Sequence, residues 1–223
     1  MNKSRKLIIF GTAAIAEVVY WYFKEDSAYE PVAFCVNRER IDKSELLGLP
    51  IVAFEDIENS YSPSEYDMYI AIGYTKLNKV RIDLFNEAKA KGYTLATYIH
   101  SRIKQWSNNK FGENTFIYED NTIQPYVQIG DNVVLWSGNH IGHHSKIGSH
   151  CFLTSHVVVS GFVNIGEATF IGVNATLRDS INIGRNNVIG AGTLILGDTE
   201  DDQVFIGTRS VAIDKHSSDI KKF

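Results

Sequence analysis

The chain has 223 residues, 44% of them hydrophobic and 22% charged, with a formal net charge of -4. That length allows one large or two small domains with a substantial core, and the acidic balance excludes a protein that holds nucleic acid by charge alone. The first apolar run, Leu7 to Phe10, is too short for a signal peptide or a membrane span. Cys35 and Cys151 sit inside apolar stretches and read as buried, reduced thiols, which makes the cytoplasm the expected compartment.

From Lys6 to about His100, strand-like and helix-like segments alternate. Leu7 to Phe10 predicts a short strand, ended by Gly11-Thr12. Ala13 to Lys24 has the Ala, Glu, Val and aromatic make-up of a helix. Val32 to Val36 predicts a second buried strand, and Met68 to Gly73 another. Thr75 to Lys91 reads as a helix and Thr94 to Ile99 as a closing strand. This alternation implies βαβ units around a parallel sheet, a small Rossmann-like domain over residues 1–105.

Residues 106–223 follow a different rule. Stepping by six from Phe111 reaches Ile117, Ile123, Ile129, Leu135, Ile141, Ile147, Leu153, Val159, Ile165, Ile171, Leu177, Ile183, Ile189 and Ile195 without an insertion. Glycine often follows, as at Gly130, Gly142, Gly148, Gly166, Gly172, Gly184 and Gly190, and a small or apolar residue such as Ser145, Cys151 or Thr169 recurs four positions on. A helix needs a period of about 3.6 and a strand a period of about 2. A period of six instead fits a parallel β-coil with three sides, one hexapeptide to a side, whose large aliphatics stack inward. The fold class is therefore α/β plus β, the βαβ domain being followed by a left-handed parallel β-helix.

The hexapeptides resemble those of the hexapeptide acyltransferase superfamily. With the α/β domain ahead of them, nearly all 223 residues resemble bacterial nucleotide-sugar acetyltransferases of the PglD and NeuD type. The resemblance implies that the N-terminal domain holds the nucleotide of an amino sugar and that the β-helix forms a homotrimer. It also implies that acetyl-CoA lies between neighbouring subunits, with a histidine as general base. The expected protein is a cytoplasmic N-acetyltransferase acting on a dTDP- or UDP-linked 4-amino-4,6-dideoxyhexose in surface-polysaccharide (O-antigen) synthesis. Acetyl-CoA is its cosubstrate, and no metal, nucleic acid or membrane span is expected.

Five of seven histidines crowd together: His140, His143, His144, His150 and His156. His150 and His156 read as solvated surface or trimer contacts. His143 is the third residue of its hexapeptide, and Gly161 lies eighteen residues further on, one coil turn away at the ~4.8 Å spacing of adjacent strands. Glycine there admits a ligand close to the backbone, and its amide suits a thioester carbonyl that is gaining charge. The family relates its catalytic histidine and amide-donating glycine by this same turn, so the resemblance carries those roles onto His143 and Gly161. An amine attacking a thioester sheds a proton, and imidazole titrates near neutrality. Better-known relatives follow this histidine with a glutamate, whereas this chain has His144. Another carboxylate or the backbone then orients His143, with His144 a second candidate catalytic residue and His140 an alternative base.

Gly11-Thr12-Ala13-Ala14-Ile15 follows the first strand and opens a helix, so its amides suit a diphosphate. Ile15 replaces a histidine that relatives place near the sugar. Val36-Asn37 ends the second strand where relatives contact the base. Asn37 both donates and accepts, while Arg38 reads as surface. Gly73-Tyr74 forms another loop at a strand's C-terminal end, where α/β sheets bind ligands. Lys76, Asn78 and Arg81 read either as phosphate contacts or as a solvated helix face. For CoA, the resemblance places Val173 and Ala191, twelve and thirty residues past Gly161, on the pantetheine path. The alternative there is that small residues merely close corners of the coil.

Three other functions use the same residues. A sugar O-acetyltransferase needs the same base and thioester. A zinc enzyme of the γ-carbonic-anhydrase type would bind metal through histidines of two subunits, leaving the α/β domain without a role. A non-catalytic scaffold would use the solenoid only as a platform.

Overall fold

The computed structural model describes residues 4–212, 214 and 216, so the expected outer limits of the two domains, 1 and 223, lie outside the described residues. The N-terminal part begins with β1 (Arg5–Phe10), α1 (Ala14–Asp26) and β2 (Tyr29–Val36). It continues through β3 (Glu45–Leu46), β4 (Leu49–Ala53), β5 (Tyr66–Ile70) and α2 (Lys79–Ala90). The sheet order is β3-β4-β2-β1-β5, parallel except for the edge strand β3. Leu7 to Phe10 are continuously apolar because β1 lies mid-sheet and is buried on both faces.

Three local differences from the sequence expectations have physical causes. The β3–β4 hairpin has no counterpart among the expected strands, because one arm has only two residues and the other contains Pro50, which weakens the strand signal. The helix expected from Thr75 starts at Lys79, since Lys76, Leu77 and Asn78 hold φ of 52, 50 and 63 and cannot join a right-handed helix. The closing strand divides between two sheets. Leu95 makes a single bridge to Met68, whereas β6 (Tyr98–Ile99) pairs with Phe116–Ile117 and so begins the coil.

The coil has three parallel faces, each joined turn to turn by pairs eighteen residues apart, such as His140↔Val158 and Val134↔Phe152. The first face runs upward from β6 through Leu135, Leu153 and Ile171. The second contains Ile141, Val159 and Leu177, and the third Ile129, Ile147 and Ile165. From Ile117 to Ile195 every sixth residue is buried in one continuous core. Burying such a side chain fully contributes about 1.5–3 kcal/mol, so the repeat itself is the stabilising element. The recurring small residues turn inward and bond backbone: Ser145 Oγ donates to Ser160 O at 2.9 Å and Thr169 Oγ1 to Gly184 O at 3.0 Å. Cys35 and Cys151 are buried free thiols, and burial pushes the Cys151 thiol up to about 12.

Each corner turns on a residue in the left-handed region. Asn114, Asp120, Tyr126, Asn132, His144, His150, His156, Phe162, Ala168, Asn174, Ser180 and Asn186 share this repeat position with φ between 52 and 68.

The faces differ in what they carry outside. Tyr98, Phe116, Val134 and Phe152 of the first face pack under the α/β part, in one cluster with Phe23 and Tyr69. The third face presents exposed Lys110, Gln128, Lys146, Asn164 and Asn182. The second carries Thr122, His140, Thr176 and the exposed apolar pair Val158 and Leu194. Among the described residues, no helix is long and apolar enough to cross a membrane.

Candidate active site

On the edge between the second and third faces, Gly142 lets the turn close, because a Cβ there would lie 2.5 Å from Gly161 N. His143 N–H donates to Gln124 Oε1 at 2.8 Å, which fixes the backbone from which the ring projects. The ring covers Gly161, its Cε1 and Nε2 lying 2.9 and 3.0 Å from where a Cβ would stand. The one-turn spacing read from the sequence is thus a direct contact. Among the described residues, Gly161 N–H has no protein acceptor.

His143 Nδ1 lies 3.2 Å from His144 Nδ1, so its ring partner is a second imidazole and not a carboxylate. His144 is itself held between Tyr126 and Phe162, with ring centroids 4.5 and 4.8 Å away and planes within 18° and 15° of parallel. Its φ of 60 also marks it as a corner residue.

The remaining histidines separate by position. His140 is half-buried on the second face, one residue before Ile141. His156 has its ring against Gly138 and lies at the surface. His150 is not solvated surface. It is half-buried beneath α2, its Nδ1 3.0 Å from Asn132 Nδ2 and its ring edge-on to Phe85. Burial, with nearby Arg81, holds its pKa below the usual histidine value.

A cleft of about 640 Å³ opens at the C-terminal end of the sheet. Gly11, Thr12, Ala13, Val36 and Asn37 line it, together with Glu39, Arg40, Thr75, Lys76, Asp83 and Glu87. Gly11 has φ 125, and a Cβ there would meet Ala71 O at 2.9 Å, so this turn requires glycine. Ala13 caps α1 without a side-chain bond, and among the described residues the amides of Ala14 and Ile15 have no protein acceptor. Ala14 does not line it, and Arg38 is a surface residue paired with Asp56.

A second pocket, about 410 Å³, lies where the α/β part meets the edge between the first and second faces. It gathers Ile15, Gly73, Tyr74 and Val173 with Trp136, Phe152, Thr154 and Ser155, none of them charged. Tyr74 rests on Phe152 and Phe170, at centroid distances of 5.0 and 4.7 Å. Ala191 lies one turn above Val173 on the same edge and is exposed. Trp136 and Thr154 escape the sequence reasoning, although both occupy the repeat position where glycine is common. Below them at that position is Tyr118, stacked on Trp136 at 4.5 Å. His143 and Gly161 therefore occupy one edge of the coil, and Val173, Ala191 and this pocket another.

Asn78 and Arg81 are neither phosphate contacts nor surface, since both are fully buried. Arg81 donates to Asn132 O, to Asn78 Oδ1 at 2.9 Å, to His150 O at 2.9 Å and to Cys151 O at 3.4 Å. Its charge rests on carbonyl oxygens, its Nε lacks an acceptor among the described residues, and burial lowers its pKa to about 10. The preceding left-handed residues cost about 1–2 kcal/mol each relative to right-handed ones. Lys76 lines the cleft. Among the described residues, no three His, Cys, Asp or Glu side chains converge as a metal site.

Residues 126–161 and 162–197 match the bacterial transferase hexapeptide family (six repeats). The acetyltransferase domain of PglB from Neisseria gonorrhoeae has a similar structure, with TM-score 0.80, 23% identity and coverage of 92% of this chain and 97% of that one. PerB from Caulobacter crescentus, solved with CoA and GDP-perosamine, gives TM-score 0.78, 25% identity and coverage of 91% and 94%. WeeI from Acinetobacter baumannii gives TM-score 0.70 at 17% identity, covering 92% and 97%. No curated protein sequence matches the chain. The family match covers the coil's hexapeptides from 126 to 197. The chain's α/β part and coil together share the fold of the PglB acetyltransferase domain and of PerB, the fold that the resemblance implied.

Proposed function

We propose that the protein transfers an acetyl group from acetyl-CoA to the amine of a nucleotide-linked amino sugar, with His143 as general base. The contact of the His143 ring with Gly161 carries this reading, because it joins a proton acceptor to a glycine whose amide is open. In the proposed tautomer, His143 Nδ1–H donates to His144 Nδ1, which leaves the Nε2 lone pair for the substrate. His144 thereby takes the orienting place that relatives give to a glutamate, and its aromatic sandwich keeps it there.

The sugar amine attacks the thioester carbonyl and the C–N bond forms. Gly161 N–H stabilises the developing oxyanion, and Nε2 accepts the amine proton. The C–S bond then breaks, and the imidazolium returns the proton to the leaving CoA thiolate. No covalent enzyme intermediate is needed.

The nucleotide would occupy the cleft at Gly11–Ala13, Val36 and Asn37, and the sugar the apolar pocket at Ile15, Gly73 and Tyr74. An uncharged, aromatic lining suits a dideoxy sugar better than an acidic one. UDP, dTDP and GDP all remain within this substrate class, since GDP-perosamine is the ligand in the similar PerB structure. Val173 and Ala191 would border the pantetheine. We further propose that residues 1–105 bind the sugar nucleotide, that residues 106–223 form the transferase coil, and that the protein works in surface-glycan synthesis.

The division of candidate residues between two edges supports a homotrimer, because a neighbouring copy would bring its His143 edge to this chain's acceptor pocket. The second face suits that contact. The first face is covered by the α/β part along its lower turns and bares Val204 only at its last strand, the third is polar, and the second exposes Val158 at 38% and Leu194 at 59%.

The test is thiol release from acetyl-CoA with paired sugar nucleotides bearing an amine or a hydroxyl at the same carbon. Turnover confined to the amines supports N-acetylation. Turnover confined to the hydroxyls makes the protein an O-acetyltransferase.

A further inference from the structure

Residues Gly73–Asn78 form a strap joining the two pockets. Gly73 and Tyr74 line the apolar pocket, while Thr75 and Lys76 line the nucleotide cleft. Three successive left-handed residues, Lys76, Leu77 and Asn78, then carry the strap into α2. A bend of this kind persists only where surrounding structure holds it.

What holds it is the coil. Asn78 Nδ2 donates to Ala168 O at 3.0 Å, and Arg81 reaches Asn132 O and His150 O. These three acceptors are left-handed corner residues of successive turns, stacked on one edge. Asn78 Oδ1 in turn accepts from Arg81 at 2.9 Å, so the two anchors lock each other. A fully buried guanidinium resting on carbonyls, with no acidic partner among the described residues, is a costly arrangement for mere packing.

We propose that Asn78 and Arg81 are positioning residues that set the spacing between the nucleotide and sugar subsites by tying the strap to the coil. This rests on the acetyl-transfer reading for its substrate. A nucleotide sugar spans both pockets at a separation its diphosphate dictates, so Lys76 and Tyr74 must be held at one spacing. Acetyl-CoA meets the apolar pocket only at its Val173 wall in this scheme and touches neither anchor, so its binding depends on the strap far less than that of the sugar nucleotide does.

The test is Asn78→Gly in the full chain. Glycine keeps the left-handed backbone and deletes both the amide to Ala168 O and the acceptor for Arg81. Hydrogen exchange across 74–79 should accelerate by about 10-fold or more, with peptides of the later coil turns unchanged. KM for the sugar nucleotide should rise about 10-fold, and KM for acetyl-CoA should stay within about twofold. Asn78→Asp, which keeps the acceptor for Arg81, should recover part of the loss.

Unchanged exchange in Asn78→Gly would overturn the anchoring. Faster exchange with both KM values unchanged would reduce the pair to packing. A wild-type protein that releases no thiol with any sugar nucleotide refutes the acetyl-transfer reading instead. In that case exchange and the affinity for UDP, dTDP or GDP alone decide the strap: a Kd about 10-fold weaker in Asn78→Gly upholds it, and an equal Kd overturns it.

Discussion

Replacing Gly161 by alanine places a methyl group 2.9 Å from His143 Cε1 and 3.0 Å from Nε2, where ordinary contact begins at 3.4 Å. The obstacle is the far end of a side chain, so the imidazole can retreat by about half an ångström while the coil backbone stays in place. Gly161 also lies outside the left-handed region, and alanine adds no backbone strain. Stability should therefore change by no more than about 0.5 kcal/mol. Catalysis should not escape so lightly, since a 1 Å misplacement of a reacting group costs on the order of 100-fold. Half that displacement predicts a fall in kcat of roughly 10-fold. The measurement is thiol release at saturating substrates, beside a melting curve. Gly142→Ala is the contrasting control. Its Cβ would lie 2.5 Å from the backbone of Gly161 and Ser160, which cannot swing aside, so that variant should lose stability first. Gly161→Ala with wild-type kcat would refute the inferred placement of base and reacting carbonyl.

Two further outcomes follow from the two-edge arrangement and the buried histidine. Val173→Trp should fill the apolar pocket, and His143→Asn should remove the base. With random mixing in the proposed trimer, about one site in four combines an intact base from one copy with an open pocket from another. Co-expression of these two inactive chains should then restore about a quarter of wild-type turnover, and no recovery would place both parts in one subunit. His150 has a lowered folded pKa, so below its ordinary value of about 6.5 the unfolded chain binds the proton more readily. Stability should fall as pH drops through that value toward the lower folded one, and His150→Asn should show a shallower decline in melting temperature over the same range.

The coil was legible because one physical requirement, a large aliphatic pointing inward, repeats every six residues from Ile117 to Ile195. The same register placed His143 against Gly161. It also created a false crowd, because His144, His150 and His156 share the left-handed corner position with Asn114, Asn132 and Asn174. Asn, Asp and His are the non-glycine residues that tolerate that region best, so backbone conformation accounts for three of the five clustered histidines. Their later uses, stacking for His144 and packing under α2 for His150, depend on neighbours that spacing does not reveal.

The α/β part was less legible. Tyr98–Ile99 reads as a strand from its composition, but nothing local says that it pairs with the coil and not the sheet. Lys76, Asn78 and Arg81 look like a polar helix start, yet two of them are fully buried because the acceptors that satisfy them lie far along the chain. Trp136 and Thr154 did leave a signal, as departures from glycine on one edge of the coil. Their meaning emerged only when the apolar pocket placed them opposite Tyr74 and Ile15.

The most direct test of the central claim is the single-turnover rate of His143→Asn with acetyl-CoA and an accepted amino-sugar nucleotide. Both ligands should still bind, while the rate of acetyl transfer falls by about 10²- to 10⁴-fold. Transfer at the wild-type rate would contradict the assignment of His143 as the base.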